Sequence, residues 1–249
     1  MTVLALLLAG IGLADAAGSQ VTTTGRARTL VALATGALVV AIGTWGTGLA
    51  WGWGLVVFAL LALWVTATTD GSTSVPAARA AASLRAYPWS VIGLAAAVAA
   101  LLALSPRLPA ASGWLTDWYA TLQLGALAGV PFAKFALGVG SVAFLIESAN
   151  LLVRMVLVSS LDPDAKPEAQ LKGGRILGPI ERVFIFAMAL TGQFLAISAI
   201  VAAKSILRFP EVSNDEKRSG GGSAAEYVLV GSFVSWAVAL LLVGIVALS

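Results

Sequence analysis

Long apolar stretches recur along the whole chain, and most polar residues are confined to the connections between them. A helix needs about 20 such residues to cross the hydrocarbon core of a bilayer. A helix that is apolar on every side has no face to offer water and must be buried in protein or in lipid. The chain of 249 residues is therefore expected to be all-α, a multi-pass transmembrane helical bundle. At about 20 residues per crossing plus loops, it should hold about seven spans and one interfacial or re-entrant helix.

The first span is expected over residues 2–18. Ala14-Asp15-Ala16 resembles a small-residue cleavage site, but no Lys or Arg precedes the apolar run, which favours a retained helix over a cleaved signal. The second and third spans, 29–44 and 49–65, form a helical hairpin through Trp45-Gly46-Thr47-Gly48. Trp45, Trp51 and Trp53 gather there as an aromatic belt does at a membrane interface. The fourth span, 89–104, ends before Pro106 and Pro109. Residues 111–130 carry Trp114, Asp117, Trp118 and Tyr119, which fits an interfacial or re-entrant helix better than a full span. The fifth span is expected over 132–158, the sixth over 179–207 with Pro179 in its first turn, and the seventh over 225–248. Together residues 1–249 read as a single membrane domain, with less polar helices over 1–110 and the polar residues concentrated in 111–249.

Composition supports this and narrows the chemistry. Hydrophobic residues make up 59% and charged residues 11%, against about 25% charged in soluble domains. A mean hydropathy of +0.94 over the whole length requires several apolar segments. The chain has no Cys and no His. That excludes disulfides, thiolate metal sites, Cys nucleophiles and the usual Ser-His-Asp and zinc chemistries. No metal site and no cofactor is expected. The net charge of +3 without a basic run makes no case for nucleic acid.

Orientation follows from the loop cations. With seven spans, one face receives Arg26, Arg28, Arg79, Arg85, Lys166, Lys172 and Arg175. The other receives Arg107, Lys134, Lys204, Arg208, Lys217 and Arg218. The balance tips the first set toward the cytoplasm, with the N-terminus outside and the C-terminus inside.

The candidate site is a set of polar residues within or beside the last three spans. An ionised side chain at a helix centre costs about 2.5–3.5 kcal/mol on insertion scales. In the fifth span Glu147, Asn150 and Arg154 fall within about 60° of one another on a helical wheel. In the sixth, Arg182, Gln193 and Lys204 recur at eleven-residue intervals. That is nearly three whole turns, so they stack within about 40° over roughly 33 Å. Glu181 stands at the start of this span, Arg208 one turn beyond Lys204, and Glu226 at the start of the seventh as a counter-charge for either cation. Two readings stand. Arg182 and Lys204 snorkel at opposite interfaces, Gln193 bonds between helices, and Glu147 pairs with Arg154. Alternatively, these side chains line a polar seam that binds an ion, a proton or an anionic headgroup. Asp15 is a buried polar partner or a residue near the membrane edge. Gly173-Gly174-Arg175 reads as a flexible turn before an anion-binding nest. Gly138 and Gly140 permit close helix contact.

The ordered pieces Asn150-Leu-Leu-Val-Arg154, Gly173-Gly174-Arg175, Ile180-Glu181-Arg182, Gly192-Gln193, Ala203-Lys204-Ser205, Arg208-Phe209 and Ala225-Glu226-Tyr227 followed by Gly231 resemble a bacterial integral-membrane family known mainly as a domain of unknown function. The resemblance covers roughly residues 145–240, with Asp15 as its one point in the first helix. Members often carry histidine near that position; this chain has none. The resemblance implies a bacterial plasma-membrane location and singles out the same polar residues, but it supplies no activity.

The leading expectation is a protein that transports or binds an ion or anionic lipid headgroup at a seam between the fifth, sixth and seventh spans. One alternative is a membrane-embedded enzyme acting on a lipid phosphate, with Arg182, Lys204 and Arg208 clamping the anion and Glu147 or Glu226 as base. No nucleophile sits beside a base to support it. Another is a scaffold or accessory subunit, working with a membrane-protein partner or as a homo-oligomer in the bilayer.

Overall fold

No water reaches the hydrocarbon core, so backbone N–H and C=O groups there must pair within their own segment, and apolar runs become helices. The computed structural model describes residues 1–21, 25–69, 88–123, 125–160, 174–219 and 223–249. The side chains of residues 69, 88, 126, 158–160, 174–176, 207–219 and 223–228 fall outside that description. Among the described residues every regular element is helical and no strand occurs. Ten α-helices are described: α1 (Thr2–Gln20), α2 (Gly25–Thr47), α3 (Trp51–Thr69), α4 (Pro88–Leu104), α5 (Trp114–Thr121), α6 (Phe132–Ile146), α7 (Ser148–Ser160), α8 (Gly174–Leu190), α9 (Phe194–Ser219) and α10 (Ser223–Ala247).

Five segments, in α1, α2, α3, α4 with the turn that follows it, and α10, are long and apolar enough to cross a membrane, and α6 with α7 makes a sixth when the two are taken as one bent span. The chain is thus a polytopic helical protein with fewer single spans than the sequence pattern suggests. The difference lies in the fifth and sixth expected spans. The fifth is interrupted at Glu147, whose backbone leaves the helical region (φ −123°, ψ −47°) between α6 and α7. The sixth is two helices, α8 and α9, separated by Thr191-Gly192-Gln193.

The chain divides into two compact units, residues 1–148 with Ser249, and residues 149–248. In the first unit α1 is the central helix and packs on α2, α3 and α6. Its stretch from Val3 to Ala14 is apolar on every side, and Leu4, Leu7, Leu8 and Ile11 are fully buried. Lipid tails are as apolar as leucine, so helices in a bilayer associate through close packing. Gly12 and Gly140 provide it. A Cβ at Gly12 would run into the backbone of Ala143 and Phe144, and one at Gly140 would sit 2.5 Å from the Ala5 carbonyl oxygen. Contacts that advance together along both helices, Ala5 and Ala9 with Gly140 and Gly12 with Ala143, make α1 and α6 parallel; Asp15 with Ser148, just past the break, continues the order.

The α2–α3 hairpin turns at Gly48, whose φ of +66° lies in the left-handed region that favours glycine. The 112–113 segment docks on it: Ser112 N–H donates to the Thr47 carbonyl at 3.0 Å, and Trp114 meets Trp45 edge to face at 6.2 Å. Helix α5, eight residues long, reaches only about 12 Å and cannot span a bilayer. The Tyr119 hydroxyl donates to the Val130 carbonyl at 2.8 Å, and its ring stacks on Phe135.

In the second unit α8 packs on α10 and α9, and α9 on α10. Helix α7 approaches α10 at Gly231, where Val153 and Leu157 fill the space beside the missing side chain.

Candidate functional site

The α8–α9 junction brings the site together. At the end of α8, Gly192 N–H donates to the Ala189 carbonyl at 3.1 Å and Gln193 N–H to the Met188 carbonyl at 2.8 Å. Gly192 has φ +72°. This is a Schellman cap: a left-handed glycine satisfies the last carbonyls and turns the chain out of the helix. A straight helix would hold Glu181 and Lys204 about 34 Å apart at 1.5 Å per residue. Instead the chain doubles back, and Lys204 Nζ lies 2.6 Å from Glu181 Oε2. Arg182, Gln193 and Lys204 therefore share no helical face. Gln193 is exposed at the tip of an antiparallel hairpin, far along the chain from the charges.

Glu181 and Arg182 are adjacent on α8, so their side chains leave it about 100° apart and meet different partners. Both are buried, at 7% and 4% exposure. Glu181 uses both carboxylate oxygens: Oε2 takes Lys204, and Oε1 accepts the Trp236 indole N–H at 2.7 Å. Lys204 Nζ also lies 5.4 Å from the centre of the Trp236 ring, within cation–π range. Arg182 Nε donates to the Ser235 hydroxyl at 2.7 Å. Consecutive residues of α8 thus engage consecutive residues of α10. Gly178, one turn before Arg182, leaves room for the Arg182 guanidinium and the Asn150 amide oxygen, 3.6 and 4.0 Å from where its Cβ would stand.

Of the residues expected at the site, Glu181, Arg182, Lys204 and Asn150 gather in the second unit. Arg154 is exposed on α7. Glu147 stands half-buried at the break between α6 and α7, so the helical wheel that aligned it with Asn150 and Arg154 does not apply. The side chains of Arg208 and Glu226 lie outside the described residues. The carboxylate that meets Lys204 is Glu181.

Trp236 and Ser235 were not among the expected residues. The signal was available: Trp236 sits in the middle of an apolar run, away from the interface where tryptophan usually lies, and a buried indole N–H needs an acceptor. The first unit holds the same pairing. Trp64, 3% exposed, donates its indole N–H to Asp15 Oδ2 at 3.1 Å, and the Ser148 hydroxyl donates to the same oxygen at 2.6 Å. Asp15 is thus a half-buried hydrogen-bonded partner beside the helix break, with Glu147 and Arg28 as its charged neighbours. No group of three or more metal-ligating side chains occurs among the described residues.

No protein-family model, curated protein or solved structure matches this chain.

Proposed function

We propose that this polytopic membrane protein binds an anion, either a lipid headgroup or a free phosphate-like ion, at the Glu181–Arg182–Lys204 cluster. The observation that carries the reading is the burial of Glu181 and Arg182 and the closing of half-buried Lys204 onto Glu181. Each is costly in an apolar setting, and an ionisable side chain held at membrane depth is a functional-site hypothesis by default. They also stand on a helix pair interrupted by a glycine turn, the kind of discontinuity from which membrane binding sites are built. Among the described residues, Arg182 and Lys204 stand beside the Glu181 carboxylate. An anion that draws Lys204 away leaves Glu181 still held by the Trp236 indole, so the exchange does not strand a bare carboxylate. The resemblance over residues 145–240 points to these residues and to a bacterial plasma membrane, and is part of the same proposal.

A second reading is favoured by the closure of the pair. Both oxygens of Glu181 are engaged, which suits a staple holding the α8–α9 hairpin in an accessory subunit. Native mass spectrometry of the purified protein separates the two. Wild type is compared with Lys204→Gln and Arg182→Gln in the presence of phosphatidylglycerol, and separately of inorganic phosphate. Loss of bound lipid in both variants supports headgroup binding; loss of bound phosphate alone supports a free anion. Unchanged occupancy in both arms, with lowered stability, makes the cluster a staple.

A further inference from the structure

We infer that residues 174–219 cross the bilayer an even number of times, so that both termini lie on one face, and that the opposite face is cytoplasmic. The hairpin carries the first step. Glu181 lies nine residues before the end of α8, and Lys204 ten residues after the start of α9. Their contact at 2.6 Å means that the second arm retraces the first. Beyond the ion pair each arm runs only about 14 Å, less than half of a hydrocarbon core. Whether such a hairpin dips into the bilayer or crosses it twice, it returns the chain to the face from which it came. The sixth span of the sequence pattern would have delivered it to the other. Five helices, α1, α2, α3, α4 and α10, are long enough to cross; with the bent α6–α7 pair taken as one broken span, the two termini share a face.

The Lys and Arg residues outside the spans respond sharply to this change. With one crossing over 179–207 the two faces receive seven and six Lys and Arg residues, hardly a bias. With an even number, Arg208, Lys217 and Arg218 move to the face of Arg26, Arg28, Arg79, Arg85, Lys166, Lys172 and Arg175. Lys204 leaves the tally because it is held in the cluster. The division becomes ten against two, with Arg107 and Lys134 alone on the other side. Cytoplasmic loops carry the excess of Lys and Arg near span ends, and anionic lipids of that leaflet attract them. A hairpin read from side-chain contacts and a bias read from loop composition are independent, and they agree. Neither depends on whether the cluster binds an anion.

The chain has no Cys, so a single introduced cysteine is a unique label. Ala110→Cys, Asp164→Cys, Asn214→Cys and Ser249→Cys are each treated with a membrane-impermeant maleimide in intact cells and again after permeabilisation. Ala110→Cys and Ser249→Cys should label in intact cells, and Asp164→Cys and Asn214→Cys only after permeabilisation. Ser72→Cys and Glu216→Cys repeat the protected arm should either variant fail to accumulate. Asn214→Cys labelling together with Ala110→Cys, or Ser249→Cys together with Asp164→Cys, overturns the even count. A wholly inverted pattern overturns the assignment of the cytoplasmic face.

Discussion

Gly138 and Gly140 lie two residues apart on α6 and should respond oppositely to the same change. A Cβ at Gly138 meets nothing within 4 Å, whereas one at Gly140 stands 2.5 Å from the Ala5 carbonyl oxygen and 3.3 Å from the Ala9 nitrogen. Its obstacles are backbone atoms of α1, which cannot swing aside as a side chain can. To restore an ordinary contact the two helices must part by about 0.9 Å. A gap of about that size forfeits a quarter to a half of each atom-pair attraction of about 0.1–0.2 kcal/mol. Taking about 50 pairs along the seam, the loss is about 2–3 kcal/mol, at the upper end of usual overpacking costs. Both variants gain up to about 1 kcal/mol from replacing a helical glycine. Gly140→Ala should therefore be destabilised by about 1–2 kcal/mol net, and Gly138→Ala unchanged or slightly stabilised. Thermal unfolding in a single detergent, followed by intrinsic fluorescence of the eight Trp residues, measures both. If Gly140→Ala melts at or above Gly138→Ala, the close α1–α6 approach is wrong, and with it the packing that brings Asp15 to Ser148.

Lys204→Met removes the cation from a buried carboxylate and should cost about 3 kcal/mol; adding Glu181→Gln should recover part of that loss, because glutamine still accepts from Trp236. Additive losses in a thermal-unfolding cycle would show that the two do not act as a pair. Gly192→Ala forces a Cβ into the left-handed region and should cost about 1–2 kcal/mol, with Gly192→Asn milder because asparagine tolerates that region. Equal melting temperatures for the two variants would remove the left-handed turn from the account.

Apolar run length made the helices and the membrane legible in residue order alone, because one chemical requirement, internal pairing of every backbone polar group, leaves a long apolar segment little choice. The α2–α3 turn was marked by Gly48 and its tryptophans, and α5 by Trp114, Trp118 and Tyr119, which are too amphipathic for a full span. The break at Gly192 was not legible in the same way. Hydropathy is blind to direction: Ala187 to Val201 is equally apolar whether the chain runs straight or doubles back, and the eleven-residue spacing of Arg182, Gln193 and Lys204 suits a straight helix that does not form. One glycine serves either helix packing or a left-handed cap, and the choice rests on what stabilises each outcome. Here a distant carboxylate, Glu181, stabilises the return of Lys204, and an indole from α10 completes the contact. The interruption at Glu147 is of the same kind, since Ser148 beyond it bonds an aspartate more than a hundred residues earlier. Local chemistry specifies which segments become helices, because that depends on neighbours a few residues away. Which helices are broken, and which charges meet, depends on partners that only folding brings within reach.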